Sequence, residues 1–150
     1  MVDAKGTYAL ILALDKDTPI TVGKLAAFSF PTGYYLYAGS ALGGLLSRVR
    51  RHIRGGKKLH WHIDYLRQEA KVAEAWYLIS GERLECGWYQ AAAGMPQAQS
   101  PVAGFGSTGC GCHSHLVYFP SMPSFEAFRR QLGEKGLDLR KISLKPEGLA

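Results

Sequence analysis

Tyr34-Tyr35-Leu36-Tyr37-Ala38-Gly39-Ser40-Ala41 is followed closely by a run carrying Arg48, Arg50, Arg51 and His52. The aromatic first part predicts a strand over Tyr34–Ala38, ended by Gly39. From Leu42 the period changes. Leu42, Leu45, Leu46, Val49 and Ile53 recur at helical intervals and share one face. Gly43 and Gly44 weaken the start of this helix and permit close approach of a ligand backbone. Gly55-Gly56 ends it. Arg48 and His52 are i, i+4 neighbours on a flank beside the apolar stripe, whereas Arg51 points away from it toward solvent. Tyr37 is thus a candidate proton acceptor and Arg48 a candidate phosphate clamp. An arginine presents a planar, permanently charged fork that matches phosphate oxygens. A tyrosine titrates near 10, so service as a base requires a shift. Lowering it by two units needs about 2.7 kcal/mol, which a cationic helix and a divalent ion would supply.

Working outward, Tyr8–Leu14 reads as a buried strand closed by the turn signal Asp15-Lys16-Asp17-Thr18-Pro19. Ile20–Gly23 and Ala26–Phe30 read as two short strands of a hairpin or meander. Leu59–Glu69 predicts a short helix with an irregular start, Val72–Ile79 a strand and Glu82–Ala93 a helix. Gly94–Gly111 is a long Gly-, Ser-, Pro- and Gln-rich loop, a length that is uncommon without a function. His115–Phe119 reads as the final strand. Ser124 caps a helix over Phe125–Gln131, Gly136 stops it, and the tail after Lys141 is expected to fray. The order predicts an α+β fold with a small antiparallel or mixed sheet flanked by helices.

The 150 residues suit one domain, with a core able to form without staples. Charge is distributed unevenly. Arg48, Arg50, Arg51, Arg54, Lys57 and Lys58 lie within 48–58 with no acid among them, and the other 12 basic residues match the 12 acidic ones. The whole excess of +6 therefore sits in one segment, the footprint of a polyanion-binding surface. Arg50, Arg51, Arg54, Lys57, Lys58 and the neighbouring His60 are the candidate nucleic-acid contacts. No apolar run approaches a bilayer span, and Met1–Gly6 lacks a signal design, so no membrane partner and a cytoplasmic location are expected. Three cysteines without an export signal predict reduced thiols.

Gly6-Thr7-Tyr8, Tyr37-Ala38-Gly39, Arg48 with His52, and Glu85 occur in an order that resembles the GIY-YIG nuclease superfamily. His60-Trp61-His62-Ile63-Asp64-Tyr65-Leu66, Glu85-Cys86, Gly104-Phe105-Gly106-Ser107, Cys110-Gly111-Cys112 and Ser114-His115-Leu116 resemble a small single-domain branch of it. Some members of that branch are fused to DNA-glycosylase domains. The resemblance covers about residues 6–119, with a C-terminal helix and tail over 120–150. It implies paired strands bearing Tyr8 and Tyr37, then a helix bearing Arg48 and His52, then a helix whose Glu85 binds metal. The implied activity is metal-dependent endonucleolytic cleavage of DNA. Tyr8 or Tyr37 would activate water, Arg48 would stabilise phosphoryl charge and His52 would assist proton transfer. Glu85 would hold one Mg2+ or Mn2+, which needs few protein carboxylates. Glu82, one turn earlier, is the other possible ligand. Tyr8 and Tyr37 are 29 residues apart, where most of the superfamily has a short hairpin. An inserted strand pair accounts for that distance. The alternative function is a catalytically inactive nucleic-acid-binding module on the same scaffold.

Cys110-Gly111-Cys112-His113-Ser114-His115, with Cys86, invites a zinc reading and a zinc-stabilised interaction module. Two thiolates one residue apart do not match a standard finger, which disfavours structural zinc. A packed loop with small apolar thiols, and His115 facing the cleft, is the expectation.

Overall fold

The structure is a computed structural model that describes residues 3–54, 59–107 and 110–143. Gly55-Gly56, Lys57, Lys58 and the end of the tail lie outside the described residues. The elements run β1 (Gly6–Leu14), β2 (Thr18–Val22), β3 (Ala26–Phe30), β4 (Gly33–Ala41), α1 (Leu45–Arg54), α2 (His62–Arg67), β5 (Lys71–Ile79), α3 (Glu85–Ala93), β6 (Leu116–Phe119), α4 (Phe125–Leu132) and β7 (Arg140–Ser143). The expected α+β class holds. Five strands form one sheet in the order β6-β4-β1-β5-β7, every neighbouring pair antiparallel.

Strand β1 is central and buried on both faces, which explains its near-continuous apolar sequence. Alternate residues feed two cores. Tyr8, Leu10, Leu12, Tyr35 and Tyr37 pack with Leu45, Val49, Ile63 and Phe105 on one face. Ala9, Ile11, Leu36, Ala38 and Trp76 pack with Trp88, Tyr89 and Phe128 on the other. The β2–β3 hairpin forms a separate two-stranded sheet. It loops out between β1 and β4 and leaves them free to pair directly, so the long interval between Tyr8 and Tyr37 does not separate them.

Gly39 does not end its strand. β4 runs through it to Ala41, with Tyr8 opposite Gly39 and Leu10 opposite Tyr37. A Cβ at Gly39 would lie 2.6 Å from the Tyr8 Cζ and hydroxyl oxygen, so the glycine is the space that the Tyr8 ring fills.

Helix α1 starts at Leu45, three residues later than its periodicity suggests. Its start is set by Asp3, whose carboxylate accepts from the Leu46 and Ser47 amides at 2.8 and 2.9 Å. A side-chain cap distant in sequence satisfies amides that the helix cannot. Leu45 and Val49 are buried as expected, but Leu46 is 45% exposed. Helix α2 is confined to His62–Arg67, and α3 begins at Glu85, leaving Glu82 exposed in the preceding turn. The Ser124 hydroxyl accepts from the Ala127 amide at 3.1 Å and caps α4 as expected. The helix ends at Leu132, and a 3-10 turn over Gly133–Gly136 follows. The tail was expected to fray after Lys141; its first two residues, Ile142 and Ser143, instead pair with β5 as part of β7, and 144–150 lie outside the described residues.

Candidate active site

Tyr8 and Tyr37 project from adjacent strands onto one face, with ring centroids 6.3 Å apart. Helix α1 packs on that face and sets His52 against both. The Tyr8 hydroxyl and His52 Nε2 are hydrogen-bonded at 2.9 Å, and the imidazole lies 6.4 Å from the Tyr37 ring. His52 is 1% exposed, and its Nδ1 has no hydrogen-bond partner among the described residues. Four residues earlier, Arg48 Nη1 donates to the Ser40 carbonyl at 3.3 Å. Its guanidinium stacks 4.4 Å from the centre of the Trp61 ring.

Arg51 also lies 4.4 Å from the Trp61 ring centre, and this corrects its expected place on the solvent face. The chain returns over α1 at 59–67, and Asp64 takes both Arg51 nitrogens at 2.8 and 3.0 Å. Asp64 Oδ2 also accepts from the His60 and Trp61 amides, each at 2.8 Å. A helical projection cannot register a covering segment. Arg50, Arg54 and His60 are exposed. Asp64 and Trp61 are the site residues that helix geometry alone misses. The local signal for Asp64 is an acid in the first turn of α2 beside unpaired amides.

The long loop after α3 closes the site from the far side. Phe105 packs edge-on to Tyr37 at 6.1 Å and also faces His62 at 5.7 Å. The Gly106 amide donates to His62 Nδ1 at 2.8 Å. A Cβ on Gly106 would lie 2.8 Å from Tyr37 Cε1, and its φ of +72° independently favours glycine. His62 is therefore an anchor for the loop that walls Tyr37.

Burial governs the electrostatics. It pushes the Tyr8 hydroxyl up to about 12, against the opposing charge of Arg48. It raises Tyr37 well above its ordinary value, and the neighbouring Tyr8 adds to that. It takes His52 down to about 4, with Asp64 opposing. The expectation that the cationic helix lowers a tyrosine is therefore corrected for this state. Loss of water around the phenols outweighs the nearby guanidinium. At neutral pH the three groups rest uncharged.

Glu85 lies on the other side of the sheet. Alternation along β4 turns Ser40 away from Tyr37, and the Ser40 hydroxyl donates to Glu85 Oε2. Thr7, opposite Ser40 on β1, brings its Oγ1 within 3.2 Å of the same hydroxyl. The second carboxylate oxygen lies 4.0 Å from Arg83, a mostly exposed partner. Tyr8, Tyr37, Arg48 and His52 are thus gathered directly. Glu85 joins them through Ser40, whose carbonyl takes Arg48 and whose hydroxyl holds the carboxylate. The Glu85 charge also reaches Tyr37 and His115.

Next to Glu85, the Cys86 thiol meets the end of the long loop. The ligand atoms of Cys86, Cys110, Cys112 and His115 all lie within 4.8 Å of one another, a group that could hold a metal ion. The spacing argument against zinc weighed Cys110 and Cys112 as a pair. The fold brings Cys86 of α3, noted with them in the sequence, against this pair, and His115 Nε2 faces the thiols.

Among the described residues, no helix is long and apolar enough to cross a membrane. No curated protein and no solved structure matches the chain. The family described as a domain of unknown function, DUF123, matches residues 7–136, and the chain belongs to that family.

Proposed function

We propose that the protein is a metal-dependent phosphodiesterase, an endonuclease of GIY-YIG type acting on DNA. The observation that carries this reading is the 2.9 Å hydrogen bond between Tyr8 and His52, inside a cluster that also holds Tyr37 and Arg48. A tyrosine pushed up to about 12 is a poor source of free tyrosinate. A neutral imidazole bonded to its hydroxyl removes that need. Tyr8 accepts a proton from the attacking water as its own proton passes to His52 Nε2, and no free phenolate accumulates. Arg48 holds the non-bridging phosphoryl oxygens, where charge develops in the transition state. Its stacking on Trp61 limits the conformations of the guanidinium before substrate arrives.

Glu85 suits a hard cation. It is a carboxylate oxygen donor, 14% exposed, fixed at one oxygen by Ser40 while the other is beyond hydrogen-bond distance from Arg83. Mg2+ or Mn2+ bound there would supply a Lewis acid to stabilise the leaving oxygen. Arg50, Arg54 and His60 provide the exposed basic approach for the nucleic-acid backbone, and Arg51 serves mainly to lock α1 to α2 through Asp64. Lys57 and Lys58, beyond the described residues, extend the same basic segment.

Incubation of the purified protein with linear and branched DNA, with Mg2+ or Mn2+, tests the reading. Cleavage that disappears in Arg48→Ala is expected. Equal products from the wild type and that variant would sink the catalytic assignment. A second reading is a binding module without turnover. It draws support from the burial of Tyr8 and Tyr37, which are 1% and 8% exposed. It predicts salt-dependent DNA binding that survives Glu85→Gln, with no cleavage in either metal.

A further inference from the structure

We propose that Cys86, Cys110, Cys112 and His115 form a closed, four-coordinate Zn2+ site that ties the start of α3 to the end of the long loop. The ligands come from two separated parts of the chain. Cys86 lies in the first turn of α3, Cys110 and Cys112 flank Gly111, and His115 immediately precedes β6.

The spacing of the donor atoms suits one tetrahedral ion. Zn–S bonds of about 2.3 Å place the corners of a tetrahedron about 3.7 Å apart. Cys86 Sγ and Cys110 Sγ are 3.5 Å apart, and His115 Nε2 lies 3.5 Å from the first and 3.4 Å from the second. Cys112 completes a set whose members all fall within 4.8 Å. A thiol pair at 3.5 Å is too far apart for a disulfide bond, and the three cysteines are free thiols.

The imidazole is prepared for the role. Its Nε2 faces the Cys86 and Cys110 thiols. The His115 amide donates to the Phe105 carbonyl at 2.8 Å, and its carbonyl accepts from the Ala38 amide at 3.0 Å, so the residue is held by backbone on both sides. Three thiolates and an imidazole are soft and borderline donors, suited to zinc and poor for magnesium. Four protein ligands leave no open position, so the role is structural.

The site has a consequence for its neighbours. The His115 amide is bonded to Phe105, whose neighbour Gly106 packs against Tyr37, and Glu85 immediately precedes Cys86. A zinc clamp would therefore hold the wall of the tyrosine cluster and the carboxylate at once. This consequence rests on the nuclease reading. The metal site does not.

The test is made on the full chain, purified without metal additions under reducing conditions. Elemental analysis is expected to find about one zinc per chain. Replacement by Co2+ is expected to give the intense ligand-field and thiolate charge-transfer absorption of a tetrahedral sulfur-rich site. Stripping the wild type with a chelator is expected to lower Tm by about 10 °C, restored by Zn2+ and not by Mg2+. Cys110→Ser and His115→Gln are expected to lose the ion. The wild-type stripping experiment covers the case in which a variant does not fold.

Absence of bound zinc together with no Tm response to added Zn2+ would overturn the proposal. So would full zinc retention in both variants, or a Cys86–Cys110 disulfide in protein kept reduced. Zinc content is read independently of DNA cleavage, so failure of the nuclease reading leaves a distinguishable result.

Discussion

On one side of β4, Tyr8, Tyr37, His52 and Trp61 form a dense aromatic stack held by Arg48, Arg51 and Asp64. On the other, Ser40 holds Glu85, and the adjoining Cys86 faces Cys110 and His115 across a short gap. The first region is organised by packing and by hydrogen bonds that the chain supplies itself. The second gathers a carboxylate, thiols and an imidazole whose polar atoms face one another. The difference shows how one strand, alternating its side chains, borders two kinds of environment. Proton-handling groups benefit from exclusion of water. Cation-binding groups need donors that converge.

The largest effect is expected from removing a side chain that touches both regions. Arg48→Ala is expected to lower the cleavage rate by about 1,000-fold, the scale of losing a preorganised charge at a developing oxyanion. The zinc content should not change. Rates measured at saturating DNA separate this from weaker binding.

Asp64→Ala should destabilise the fold by about 3 kcal/mol, because it removes the ion pair with Arg51 and the acceptor of two backbone amides. Urea midpoints measure it. A loss of metal from the thiol cluster in the same variant would show that the two regions are not independent.

The acid response belongs to the first region. His52 in the fold titrates at about 4, below its ordinary 6.5. Between these values the unfolded chain carries the extra proton, so stability rises with pH. As pH falls from 6.5 to 4, about 3 kcal/mol should be lost, and the contribution levels off below that window. Unfolding midpoints of wild type and His52→Asn across the window check this. The variant should flatten the slope; an unaltered slope would assign it to His62 and His115, which burial also lowers.

Gly39→Ala should cost about 2 kcal/mol, since the new Cβ meets the Tyr8 ring at 2.6 Å. Its near-ultraviolet circular dichroism should report the displaced tyrosine. Ser40→Ala is the mildest change, about 1 kcal/mol in stability. It should raise the Mg2+ concentration needed for half-maximal cleavage while leaving the pH dependence of folding as it is.

Much of the architecture was readable because local signals were unopposed. The aromatic run Tyr34–Ala38, the apolar run Tyr8–Leu14 and the Ser124 cap each mark an element that the structure contains. The helix pattern also marked Val49 as buried and His52 as its flanking neighbour. Boundaries failed where a distant residue intervened. Asp3 sets the start of α1, Tyr8 carries β4 through Gly39, and β5 recruits a polar segment as β7. Arg51 failed for the same reason, because its partner Asp64 is thirteen residues away and on another helix.

The sequence by itself determined the elements, the concentration of positive charge and the residue types able to carry phosphodiester chemistry. These are properties of neighbours along the chain, and periodicity and composition report them. Only the tertiary structure decided which groups meet. Pairing of β1 with β4 set Tyr8 beside Tyr37, the crossing of α1 buried His52 against them, and the long loop returned two cysteines and His115 to Cys86. It also decided the sign of the tyrosine shifts. Desolvation depends on what covers a group in space, and the covering residues are remote in sequence.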